Sequence, residues 1–280
     1  LDIDRKELTN RIGNKMIRPT TVPQSLEELI IEQAIAREAL RLSFEQHKAF
    51  AVALKGVQTT RTISDAFEQS GSGQSLVNMM ELDLLVGSGG VLSHAPRRAQ
   101  SARMMIDAFQ PEGITQLAVD SIFMMPQLGV LANIDKESLS KEARKAALEV
   151  FHKDCLIRLG TCITPVGKTK SKALILTADL TFTDGTSKTI QLREGDFIQM
   201  DAPHEPIKAK LTPAKKMDIG GGVGEIIQTE IYGGVTGLVF DGRGRPLDIP
   251  TDQGKRLELL RKWSEAVSEY PDVKAIEVSI

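Results

Sequence analysis

The residues of this chain with the clearest chemical potential are four small ones in a row, Gly87-Ser88-Gly89-Gly90, inside the stretch LLVGSGGVLSHAP. Leu84, Leu85 and Val86 read as the end of a buried strand, and the glycines as a turn where the backbone comes close to something. A helix starting near Pro96 completes a layout whose backbone N–H groups suit an anion or the sugar of a nucleotide. The same layout serves any tight strand-to-helix turn, and both readings stand here. No P-loop lysine follows, because Val91 and Leu92 occupy those places, so a Walker-type ATPase is disfavoured. Asp120 ends a second expected strand, ITQLAVD, on the same sheet edge as the turn if the two strands run parallel. There it could orient a ribose, a water or a magnesium shell, or cap the helix that begins at Ser121.

Other candidates carry a plainer alternative. His47, His94, His152 and His204 are scattered without HxxxH or HExxH spacing, so no metal site is expected. His94, beside the glycine turn, is either a ligand contact or a partly exposed structural residue. Cys155 and Cys162 make neither a disulfide framework nor a zinc site and read as buried thiols, from which a cytoplasmic location is expected. DIGGGVGE, residues 218–225, is glycine-rich but lies between β segments, where tight turns or a bulge explain it. In DGRGRPL, residues 241–247, Arg243 and Arg245 either grip a carboxylate or phosphate, or tie the β-rich region to the last helix. No G-x-S-x-G elbow occurs, and no catalytic residue can be assigned.

The elements that must position these residues follow from periodicity. Residues 1–23 read as irregular. Ser25, with Glu28 three residues on, caps a helix whose apolar positions 26, 29, 30, 34, 35, 39, 40 and 42 recur at helical spacing. AFAVALKGVQTTRTI is β-leaning, and EQSGSGQS reads as a surface loop. Strand, helix, strand, helix between 82 and 134 make a parallel α/β unit. A charged helix, KESLSKEARKAALEVFHKD, leads into short β segments from 156 to about 247, including a hairpin turning at Asp184-Gly185. An amphipathic helix with Leu257, Leu260, Trp263 and Val267 on one face ends the chain. Two domains are expected, 1–135 and 156–280, joined by a linker helix over 136–155.

Composition narrows the partners. With 35 basic and 37 acidic residues the net charge is −2, and aromatic residues are only 4%, so neither electrostatics nor stacking points to nucleic acid. No apolar run is long enough to span a bilayer and nothing reads as a secretion signal. The first residue is Leu1 rather than Met, which suggests a fragment or a processed product.

Taken in order, VPQSLEELIIEQAIAREALRLSFEQH, LLVGSGGVLSHAP, LAVDSIFMMPQLGVLA and GGVTGLVFDGRGRPLDIP with its Trp-bearing helix resemble the C-terminal part of the glutamate mutase accessory family. This is the GlmL or MutL type, unrelated to the mismatch-repair protein that shares the short name. The resemblance implies an actin/Hsp70/sugar-kinase-like (ASKHA) ATPase lobe followed by a small, mainly β domain with a C-terminal helix. It implies ATP or ADP with Mg2+ as cofactor. It also implies a chaperone or reactivating role toward an adenosylcobalamin-dependent (B12) mutase subunit. Gly87, Ser88, Gly89 and Gly90 then match the adenosine-contacting turn, and Asp120 belongs to the segment that follows it. The family's DxGST phosphate loop does not occur in these residues, so hydrolysis would need a separate N-terminal ATPase lobe. A different class of reading is a non-enzymatic interaction or assembly module whose glycine turn is purely structural. A stand-alone enzyme built on the β segments lacks an acid–base pair.

Overall fold

A computed structural model describes residues 3–51, 77–134 and 140–271. The β-leaning part of 49–63 beyond residue 51, the loop expected over EQSGSGQS and the first residues of the charged helix lie outside them.

The chain opens with α1 (Arg5–Ile17) and α2 (Leu26–Phe50). Ser25 caps α2 as expected, its Oγ accepting from Glu28 N at 3.2 Å, while Glu28 Oε2 accepts from Gln24 N at 2.7 Å, one residue earlier than in the expected box. Helix α1 replaces the irregular start expected there. It buries no residue, so no apolar stripe marks it; Asp4 caps it, accepting from Lys6 N and Glu7 N, and ion pairs hold it to α2. Arg11 reaches Glu7 at 2.7 Å and Glu27 at 2.6 Å, and Lys15 pairs with Glu32.

The expected α/β unit follows as β1 (Leu84–Gly87), a one-turn helix α3 (Gly90–Ser93), α4 (Arg98–Phe109), β2 (Gly113–Asp120) and α5 (Met125–Asn133), with β1 and β2 parallel. Pro126 sits in the first turn of α5, where its missing N–H costs nothing. After α6 (Lys141–Val150) and a π-turn over Phe151–Cys155 come β3 (Leu156–Thr164), β4 (Val166–Gly167), β5 (Leu174–Thr181) and β6 (Ser187–Arg193). Then come β7 (Phe197–Met200), β8 (Pro206–Pro213), β9 (Met217–Asp218), β10 (Ile227–Tyr232), β11 (Gly237–Asp241) and α7 (Gln253–Ala266).

These strands do not divide at the expected boundary. A five-stranded sheet has the order β1-β2-β3-β11-β7, so strands from both sides of 136–155 share it. The join is the antiparallel β2–β3 pair, running from Gly113↔Thr164 to Asp120↔Leu156. Periodicity shows that a segment is a strand but not whose edge it completes, which is why it suggests two domains. β5, β6, β8 and β10 form a separate antiparallel sheet in the order β10-β8-β5-β6, with Asp184-Gly185 at the β5–β6 turn.

The molecule has three layers. Leu238 and Phe240 of β11 face the four-stranded sheet, where they meet Ile175, Leu192, Ile207 and Leu211. Val239 between them faces the other way, into a core with Met105 and Ile106 of α4 and Trp263 of α7. This is the two-residue alternation of a strand buried on both faces.

Candidate functional site

Parallel β1 and β2 bring their carboxyl ends side by side, with Gly87 opposite Val119. Gly87 is buried, and a Cβ there would meet Met105 Sδ at 2.8 Å and Leu92 Cδ1 at 3.1 Å. Ser88 and Gly90 are exposed. Gly89 has φ +105°, a conformation glycine adopts without cost, and its carbonyl accepts from Leu92 N and Ser93 N to start α3. The N–H groups of Gly90 and Val91 precede any intrahelical acceptor and are left at the mouth of the turn. Ser93 Oγ donates to Asp120 O at 2.6 Å, locking the end of α3 to the end of β2.

Asp120 stands at the strand end where the sequence places it, but not as a ligand. It is fully buried, and its Oδ1 accepts from Met124 N at 3.2 Å and Oδ2 from Met125 N at 2.9 Å. The carboxylate takes the first N–H groups of α5, a variant of the capping alternative: the helix starts at Met125 rather than at Ser121, and Met124 is its N-cap residue.

Sequence patterns miss one residue of this edge. Phe123 lies at φ +58°, rarely adopted by a bulky residue, and is partly exposed. Its ring meets exposed His94 edge-on, 5.6 Å between centroids. No local sequence signal marks a left-handed phenylalanine; the strain follows from the short link between β2 and α5. On the other side of α3, Gly90, Val91, His94 and Pro96 face Pro23 and Leu26 across a mostly apolar groove of about 670 Å3. The edge therefore combines free backbone donors, an aromatic pair and an apolar slot: parts that suit a flat, hydrogen-bonding ring system with a polar appendage.

Arg243 and Arg245 resolve differently. Arg243 donates from Nε and Nη2 to both oxygens of Asp241, at 2.8 and 2.9 Å, and from Nη1 to Asp107 Oδ1 at 2.8 Å. Its guanidinium lies 4.0 Å from the Phe197 ring and 4.8 Å from Trp263. Arg245 Nη2 donates to Asp241 Oδ2 at 2.8 Å and its Nε to Pro111 O. Arg103 joins Asp107 at 2.6 Å, and Arg37 joins Glu269 at 2.8 Å. Burial alone would raise both aspartates, but the surrounding guanidiniums hold Asp107 and Asp241 below the ordinary carboxylate range. Arg243 thus ties β11 to α4 through Asp107 and stacks beside Trp263 of α7, and neither arginine is free for a ligand.

The remaining candidates are structural. Asp218 Oδ1 accepts from Gly220 N and Gly222 N, making DIGGGVGE a closed turn between β9 and β10. Both cysteines are buried and free, and burial pushes the Cys162 thiol up to about 11. Among the described residues no group of three or more His, Cys, Asp or Glu side chains could hold a metal, and no helix is long and apolar enough to cross a membrane.

A family model described as MutL protein matches residues 2–153, more than half of the chain. The chain belongs to the MutL family. That is the glutamate mutase accessory family. The MutL match runs from α1 into the π-turn and includes the glycine turn, the groove and Asp120, ending just short of β3. Comparison with curated proteins and with solved structures gives no match.

Proposed function

We propose that this MutL chain is a nucleotide-responsive accessory subunit of an adenosylcobalamin-dependent mutase. Its α/β half acts as an actin-like lobe whose glycine turn receives the adenosine of ATP or ADP. The observation that carries this reading is the open carboxyl edge of β1, where Ser88 and Gly90 reach solvent beside the groove. Gly90 and Val91 N–H groups would meet the ribose, and the groove past His94 would take the base. The family's DxGST phosphate loop does not occur in these residues, so hydrolysis is not assigned to this chain alone. A chaperone or reactivating role, with a further lobe supplying the phosphate side, completes the reading.

Calorimetric titration of the 280-residue chain with adenosine, ADP and ATP tests this. A Cβ added at Gly90 would meet no heavy atom within 4 Å, and the residue has no positive φ, so Gly90→Phe fills the groove mouth without straining the turn. Adenosine heat that Gly90→Phe abolishes, at unchanged melting temperature, is the expected result. A chain that binds none of the three overturns it.

A second reading, a protein-contact module with a structural turn, is favoured by the capped Asp120 and by the α5–α6 hairpin. There Ile122, Met125, Val130, Leu131, Leu148 and Val150 are exposed, more apolar surface than a hairpin needs for its own packing. On this reading the hairpin contacts the mutase.

A further inference from the structure

β3 and β11 are parallel to each other and antiparallel to β2, so their carboxyl ends lie at the opposite end of the five-stranded sheet from the glycine turn. β3 is followed by Pro165-Val166-Gly167-Lys168-Thr169, and β11 by Gly242-Arg243-Gly244. These two segments, closed off by Glu194 and Met217, line a pocket of about 330 Å3. Carboxyl ends of parallel strands are where open sheets hold ligands.

Three of the residues that line the pocket are glycines. Gly167 pairs with Met217 so closely that a Cβ would strike the Lys216 carbonyl, and a Cβ on Gly242 would strike that of Arg193. Gly244, at φ +84°, faces open space. Lys168 and Thr169 are exposed, and neither side chain bonds to another described residue.

The surroundings are cationic. Lys170, Lys172, Arg193, Lys215 and Lys216 are all exposed and form no ion pair among the described residues. Chain pairing gathers them: Arg193 Nη1 donates to Lys172 O, Glu194 N to Ala173 O, and Ala214 N to Ile175 O. The carboxylates nearby are already engaged. Glu194 accepts from Lys172 N, Asp196 from Arg193 N, and Asp218 from two glycine N–H groups. Arg243, beneath the pocket, is neutralised by Asp107 and Asp241.

We propose that this pocket binds a phosphate-bearing small molecule, with the Lys168 ammonium and the Thr169 hydroxyl donating to its phosphoryl oxygens. No helix follows Thr169 and the upstream glycine of a P-loop is missing, so the attraction comes from side-chain charge rather than a helix terminus. The site is separate from the proposed nucleotide turn. The eight-residue β2–β3 pairing puts about 25 Å of sheet between them.

The test is calorimetric titration of the 280-residue chain with inorganic pyrophosphate at physiological ionic strength. Lys168→Met weakens binding about tenfold or more, Thr169→Val weakens it less, and Glu194→Gln strengthens it by removing a like charge. The double variant Lys215→Met/Lys216→Met changes it less than about twofold, because those side chains lie beyond the pocket walls. All variants are expected to keep the wild-type melting temperature. Three outcomes overturn the proposal: no pyrophosphate binding by the wild-type chain, equal loss in the Lys215/Lys216 variant, or a polyglutamate peptide that binds as tightly with the same Lys168 dependence. The last would make this a protein-docking face. Adenosine has no phosphate, so failure of the nucleotide reading leaves the pyrophosphate result unchanged.

Discussion

At Asp241 two guanidiniums converge on one buried carboxylate, and the arrangement has a direct consequence for acid stability. Its folded pKa is lowered relative to the unfolded chain. The stability it contributes is therefore fully present above about pH 4 and is lost as pH falls toward the folded value. Asp107, lowered in the same way by Arg243, Arg103 and Arg37, adds to the same window. Asp241→Asn should cost roughly 3–5 kcal/mol at neutral pH, because Arg243 keeps its burial and loses a bidentate partner. It should also flatten the fall in melting temperature below about pH 4; thermal melts across pH on both proteins measure the two effects together. Arg243 and Arg245 stand out in the sequence as charges between glycines, but their partner Asp107 does not. It sits in α4 among Met104, Met105 and Ile106, with nothing local to say that this acid faces inward. Asp120 is legible as a strand-end carboxylate with two possible uses, and only the geometry of Met124 and Met125 separates them.

Among the elements, those with an apolar stripe or a cap are readable, and those held by charge are not. Helix α2 announces itself through Ser25 and its spacing, whereas α1, with no buried residue, depends on Asp4 and on ion pairs to the helix that follows it. Ser25→Ala should lower stability by about 1 kcal/mol, and chemical denaturation followed by circular dichroism would show it. Helix α7 is a different case. Trp263 is buried against Phe197, Arg103 and Arg243, and its loss removes a large ring and two cation–π contacts at once. Trp263→Ala is expected to cost about 3–5 kcal/mol in the same measurement. An unchanged denaturation midpoint would mean that α7 is not packed as described. The π-turn at Phe151–Cys155 has no sequence marker; it lets α6 run almost directly into β3.

For the whole molecule, what the sequence hides is how strands from the two halves combine. Each strand is legible singly, and so is the parallel β1–β2 pair, but the five-stranded sheet depends on β3 taking the free edge of β2. A chain ending at residue 155 would keep the whole MutL match and yet leave the β3-facing edge of β2, eight residues long, without its partner strand. Such a truncation should be insoluble or aggregated, whereas the 280-residue chain stays in solution; size-exclusion chromatography of both decides it. The β3–β11 pair extends the point from space into time. Gly160 cannot meet Gly237 until everything between them has been synthesised, including the strands of the four-stranded sheet. Those strands pair with near neighbours and can close early, while the central strand of the molecule waits for a distant partner, so the pairing that joins its two faces is expected to close after them.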